Sequence, residues 1–171
     1  MDRNEETRDI FLAGLRNAHA MESQALSVMQ PQLNRLEHYP ELRGLLEQHY
    51  RETEGQIARL DQIFEGLGES ASGLKDSALS AMGAMQAMGH SLASDEILKN
   101  TMADYMFEHF EIAAYTALIT MAQTEGMTSA VPMLQANLEE ERRCASSLYD
   151  IIPVVTERFM QRLARGEKAN V

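Results

Sequence analysis

Tryptophan is absent, and aromatic residues of any kind make up only 6% of the chain. So few rings leave no platform on which single-stranded nucleic acid would stack. Positive charge is also in short supply: fifteen Lys plus Arg face twenty-six acids, a formal charge of −11. A balance of that sign repels phosphate backbones and anionic lipid. There is one cysteine, Cys144, so no internal disulfide can form and a reducing compartment is the simpler setting. The opening Met1-Asp2-Arg3-Asn4-Glu5-Glu6 lacks the basic start and apolar run of a secretory signal. No stretch approaches the roughly 18 apolar residues needed to span a bilayer. These absences predict a soluble, cytoplasmic, acidic protein that binds neither nucleic acid nor membrane.

Proline is scarce too, with four, and Val, Ile and Thr never cluster in alternating runs, so strands have no home. Instead, 44% of the 171 residues are hydrophobic, enough for one domain with a sizeable core. Residues 5–165 are expected to be ordered, and 166–171 to form a polar tail. The apolar residues recur three and four apart, the period of a helix. A first stripe runs Phe11, Leu15, Ala18, Ala25, Met29, Leu33 and Leu36, with a kink expected at Pro31. After a corner at Tyr39-Pro40, a second carries Leu42, Leu46, Tyr50, Leu60 and Phe64 until Gly66 and Gly68. So short a connection makes the two helices antiparallel neighbours. A long connection follows, with a short helix predicted over about 74–88 whose Met82, Met85 and Met88 would pack on the bundle. Ser94-Asp95-Glu96 is a cap signal for a third helix through Ile97, Tyr105, Ile112 and Ile119, stopped by Gly126. Pro132 starts a fourth through Leu134, Leu148 and Ile152, and Pro153 is expected to open a separate short C-terminal helix. The fold class is therefore all-α: a four-helix bundle with one long crossover between helices 2 and 3, the ferritin-like topology.

Several acids fall where such helices should be apolar. On a wheel of about 100° per residue, Glu22, Glu108 and Glu141 lie within about 20° of the centres of their apolar arcs. His49 is the central polar residue of the second helix, with Glu52 on its flank, and Glu111 flanks the third arc one turn from Glu108. Measured from the corners, Glu22 and Glu52, and likewise Glu111 and Glu141, fall at matching depths. Carboxylates from four helices at one height repel unless cations sit among them. Hard oxygen donors with one imidazole suit a pair of iron or manganese ions better than a thiolate-rich zinc site. The bland alternative, a flank Glu reaching solvent, fits any one of these residues; it does not fit all four helices at once. Glu54 faces away, Glu139 and Glu140 belong to a charge run of the kind that is usually solvated, with Glu140 a candidate to support a ligand from behind, and His19 and His109 are flank residues suited at most to hydrogen-bonding a ligand. Tyr115, one turn beyond Glu111, is placed to hydrogen-bond a ligand carboxylate. The usual dinuclear signature puts Glu-x-x-His on two helices. No Glu here has His three residues later; the chain carries His19-x-x-Glu22, His49-x-x-Glu52 and Glu108-x-x-Glu111 instead.

At these residues the chain resembles the YciE/YciF family of bacterial ferritin-like proteins, most closely the YciE branch. The resemblance is carried by Asn17-Ala18-His19-Ala20-Met21-Glu22, Tyr39-Pro40-Glu41-Leu42-Arg43 and Glu47-Gln48-His49 with Glu52-Thr53. It is strongest over Phe107-Glu108-His109-Phe110-Glu111-Ile112-Ala113-Ala114-Tyr115 and Leu138-Glu139-Glu140-Glu141. It implies a ferritin-like domain with a dinuclear metal site, a homodimer, and an association with stress responses. Ala145 stands where many relatives have an acid. Two functions compete at this point. One is a di-iron or di-manganese protein, with Glu22, His49, Glu52, Glu108, Glu111 and Glu141 around the metals, that reacts with oxygen or peroxide. The other is a metal-poor helical scaffold that acts by association under stress, without catalysis.

Overall fold

The computed structural model describes residues 3–71 and 94–169. Among these residues there are four α-helices and no strand: α1 (Arg3–Leu33), α2 (Pro40–Gly66), α3 (Glu96–Thr124) and α4 (Val131–Ala164). Pro40 and Pro132 sit in the first turns of α2 and α4, where a missing N–H costs nothing. At the end of α3, Gly126 adopts a φ of 71°, and the Met127 N–H reaches back to the Ala122 carbonyl at 2.8 Å. That left-handed turn favours glycine and closes the helix. Asp95 precedes α3 without making a capping hydrogen bond; its carboxylate pairs with Lys99 at 2.8 Å. None of the four helices is long and apolar enough to cross a membrane.

Each helix packs on two others, in the cycle α1–α2–α4–α3. Two apolar clusters fill the interior. One joins Phe11, Leu15, Leu60, Phe64, Tyr115, Leu118 and Leu134. The other joins Ala25, Met29, Tyr39, Leu46, Ile97 and Leu148. Along α2 the chain runs from the second cluster to the first, and along α3 it does so again. The two helices are therefore parallel, as a ferritin-like topology requires of helices 2 and 3. The short helix expected near 74–88, with its methionines, lies outside the described residues.

One expectation at the C-terminal end is corrected. Pro153 does not open a separate helix: α4 runs through it as one helix of 34 residues. Proline removes one N–H and crowds the carbonyl four residues back, here that of Tyr149. Pro153 and Tyr149 are both exposed, while Val155 and Phe159 continue the buried stripe beyond. Packing outweighs the local defect. Beyond α4, residues 166–169 of the expected polar tail lie against the bundle. Ala169 is buried, its carbonyl accepts the Tyr39 hydroxyl, and Arg162 Nε donates to the Lys168 carbonyl at 2.9 Å. Pro31 likewise sits inside the last turn of α1, which continues to Leu33.

Candidate metal centre

Between the two apolar clusters every helix carries polar side chains into the interior. On α1, Glu22 falls between Met21 and Ala25, members of different clusters. On α2, His49, Thr53 and Gln56 fill the interval between Leu46 and Leu60, and on α3, Glu108 and Glu111 precede Tyr115. On α4, Glu141 lies between Leu138 and Cys144. Exposure is 0% for Glu22, Glu111 and Glu141, 2% for His49 and 3% for Glu108. Ligand atoms of His49, Glu108, Glu111 and Glu141 all lie within 4.8 Å of one another. The His49 Nε2 atom is 3.2 Å from Glu108 Oε1 and 3.7 Å from Glu141 Oε2.

Glu22 is held beside this group from the opposite side. Tyr115 donates its hydroxyl to Glu22 Oε1 at 2.5 Å and accepts Asn137 Nδ2 at 2.8 Å. Gln56 donates its amide to Glu141 Oε1. Glu52 stands at the edge: it is half-buried, 3.8 Å from His49 Nδ1, and bound by Gln48 at 3.0 Å and Arg143 at 3.5 Å. The structure thus brings together four of the six predicted residues, sets Glu22 next to them, and leaves Glu52 at the rim.

Electrostatics shows how little the protein itself does to neutralise these acids. Burial pushes the Glu22 carboxyl up to about 8, opposed by the Tyr115 hydrogen bond and His49, and aided by Glu108. Burial and the neighbouring Glu108 and Glu22 carboxylates push Glu141 up to about 10. Glu111 is raised well above the carboxylate range by burial and then by Glu22, Glu141 and Glu108. Burial would lower His49, but hydrogen bonding to Cys144, Glu108 and Glu52 overrides it and holds the imidazole well above its usual value. Glu52, paired with His49 and Gln48, drops to about 2. One oxygen each of Glu22, Glu108 and Glu141, and both of Glu111, have no hydrogen-bond partner among the described residues. A buried carboxylate oxygen without a partner is expensive in a protein interior. A divalent cation supplies the missing partner, so the donor set fits a metal ion.

Other predicted residues take lesser places. His19 pairs with Asp61 at 3.2 Å and packs on Phe64; His109 lies exposed against Tyr105. Neither touches the group. Glu140 is tied to Arg59, which also donates to Asn137 Oδ1 at 2.5 Å, so Arg59 supports the centre through Asn137 and not through Glu141. Glu54 is exposed. Gln56, Asn137 and Cys144 escape the sequence reading because a search for acids and imidazoles passes over amides and thiols. Their in-phase positions on the α2 and α4 stripes are the signal that would have found them. Asp104 is also missed: its carboxyl accepts Gln32 Nε2 at 2.9 Å, and burial raises it to about 7. Both residues line a cavity of about 110 Å³ between α1 and α3, walled by Ala25, Met29 and Phe107, that ends on His49 and Glu108.

Fold and site together define an all-helical, ferritin-like bundle with a carboxylate–imidazole cluster at its waist. The model of the domain of unknown function DUF892 matches residues 6–161, and the chain belongs to that family. It is 31% identical over 151 residues to protein YciF of Escherichia coli K12, covering 84% of this chain and 88% of that protein. Among solved structures, one of a Xanthomonas campestris pv. campestris protein matches with a TM-score of 0.76 at 29% identity, over 92% of this chain and 99% of that one. The crystal structure of the E. coli stress protein YciF matches with a TM-score of 0.75 at 26% identity, over 85% of this chain and 94% of that one. These matches bear out the resemblance to the YciE/YciF family and do not distinguish the YciE branch from YciF.

Proposed function

We propose that this protein carries a carboxylate-bridged pair of iron or manganese ions and uses them on oxygen or peroxide. The observation that supports it is the set of unpartnered, fully buried carboxylate oxygens converging from α1, α3 and α4 on His49 of α2. Glu108, Glu111, Glu141 and His49 form the heart of the centre, Glu22 completes it from α1, and Glu52 closes its rim. When bound, such ions supply Lewis acidity and electrons to a small oxidant. The chain's own part is to hold the donors. Tyr115 fixes the Glu22 carboxylate, Gln56 fixes Glu141, and the apolar clusters flank the layer above and below. The cavity between α1 and α3 admits a molecule the size of oxygen or hydrogen peroxide as far as His49 and Glu108. The acidic surface disfavours anions on the way in.

A stress-associated role is taken from the relative described as a stress protein. A cytoplasmic location is proposed from the single cysteine, which suits a reducing compartment. A homodimer is proposed from Met102, Met106 and Phe110, which stand one turn apart on the exposed side of α3. The metal-poor scaffold is disfavoured by the same oxygens, since a scaffold has no reason to bury so many carboxyl oxygens without hydrogen-bond partners. Elemental analysis of chelator-free protein tests the proposal. Up to two iron or manganese ions per chain, with an optical change on adding peroxide to the ferrous form, are expected. Protein that binds neither metal under saturating conditions overturns it.

A further inference from the structure

On α4, the position three residues after Glu141 holds Cys144. A side chain three residues on lies one turn along the same helix face, which is why dinuclear bundles place His there. In this chain the position carries sulfur. Cys144 is buried, and its Sγ lies within 4.8 Å of ligand atoms of both His49 and Glu108, two residues that also belong to the four-residue group. On these two side chains, only 3% and 4% exposed, Glu108 Oε2 is buried without a hydrogen-bond partner among the described residues, and His49 Nδ1 is buried with Glu52 Oε2 no nearer than 3.8 Å. A cavity of about 120 Å³ between α2 and α4 leads from the surface to this point, lined by Gln48, His49, Glu52, Arg143 and Cys144. Its Glu52 carboxylate, 3.8 Å from His49 Nδ1, lies in the path of an entering cation.

We infer that Cys144 is a metal ligand, which with His49 and Glu108 forms a sulfur-containing position at the α2–α4 side of the centre and selects a thiophilic divalent ion there. This rests on the proposed metal centre and deepens it. Sulfur, nitrogen and oxygen donors together suit zinc, cobalt and ferrous iron, whereas manganese prefers the all-oxygen Glu111 side. On binding, the S–H bond breaks, a sulfur–metal bond forms, and the proton leaves to solvent. The layer would then hold two unlike positions, with the single imidazole, His49, on the sulfur-containing side and Glu108 between the two.

Cobalt(II) titration of the reduced, metal-free, full-length protein tests this. A near-ultraviolet thiolate-to-cobalt band is expected, and X-ray absorption of the same sample should show sulfur bonded to cobalt. Zinc should bleach the band, and manganese at equal concentration should not. Cys144→Ser, with helicity checked by circular dichroism, should lose the band and bind the first cobalt about tenfold more weakly. If that variant does not fold, the X-ray absorption of the unmodified protein decides alone. Cobalt bound without sulfur overturns this inference and leaves the metal centre standing. Failure to bind cobalt, iron or manganese at all overturns both, and bleaching by manganese equal to that by zinc overturns the selectivity.

Discussion

Tyr115 of α3 spans the bundle interior to hold Glu22 of α1, with 2.5 Å between its hydroxyl and Glu22 Oε1, and is itself held by Asn137 of α4 at 2.8 Å. Three helices thus meet at one phenolic oxygen, one turn below the carboxylate cluster. Tyr115→Phe removes the donor that lowers the Glu22 carboxyl and leaves Asn137 Nδ2 without its hydroxyl acceptor. The loss of buried pairing is expected to cost about 1–3 kcal/mol. Denaturant unfolding of the metal-free protein reads the stability, and metal titration should show weaker binding because Glu22 is no longer aimed. Unchanged values in both would show that Tyr115 is a packing residue only.

Glu141→Gln separates metal binding from folding. The carboxyl, pushed up to about 10 by burial and its neighbours, is a burden to the metal-free fold. An amide of the same shape removes it and can still accept from Gln56. The metal-free variant is expected to be as stable as the parent or more so, by about 1–3 kcal/mol at neutral pH. Metal affinity should fall by about tenfold or more. A clear drop in the melting temperature of the metal-free variant would mean that Glu141 is a structural partner.

The pH dependence of the metal-free protein follows from the same groups. Glu22 and Glu141 have folded values above the ordinary 4.5, so the unfolded chain loses their protons first as pH rises. Their contribution is fully present below about 4.5 and is lost as pH climbs towards about 8 for Glu22 and about 10 for Glu141. Each costs about 1.4 kcal/mol per pH unit while only the unfolded form is ionised. His49, also raised, loses its contribution in the same direction. Thermal melts should therefore fall from mildly acidic to mildly alkaline pH. Metal binding requires the ionised carboxylates, so the gap between loaded and metal-free melting temperatures should widen over that range. Parallel curves would contradict the proposed ligands.

Self-association should be visible in sedimentation. Met102, Met106 and Phe110 are 47%, 59% and 59% exposed on one side of α3, although the same helix buries Ile97, Tyr115 and Leu118 on the other. A second copy covering that stripe gives a species of twice 19.2 kDa at micromolar concentration. Met106→Glu should shift it to monomer. A monomer at every concentration in the unmodified protein would rule the dimer out.

The helical class, the two hairpins and the long crossover were legible in sequence because apolar period, glycine stops and proline starts act locally. Glu22, Glu108 and Glu141 were legible for the same reason: a carboxylate at the centre of an apolar arc is anomalous without reference to any other helix. Where local rules compete with burial, sequence reading failed. Pro153 looked like a boundary, yet Val155 and Phe159 carry the helix past it because their burial outweighs one lost hydrogen bond. The periodicity of each helix by itself determined which residues face inward. Only the tertiary structure decided which inward residues meet, because that depends on the height at which four separate helices dock. It placed His49 against Glu108, Tyr115 against Glu22 and Cys144 beside both His49 and Glu108, while Glu52 was left at the rim.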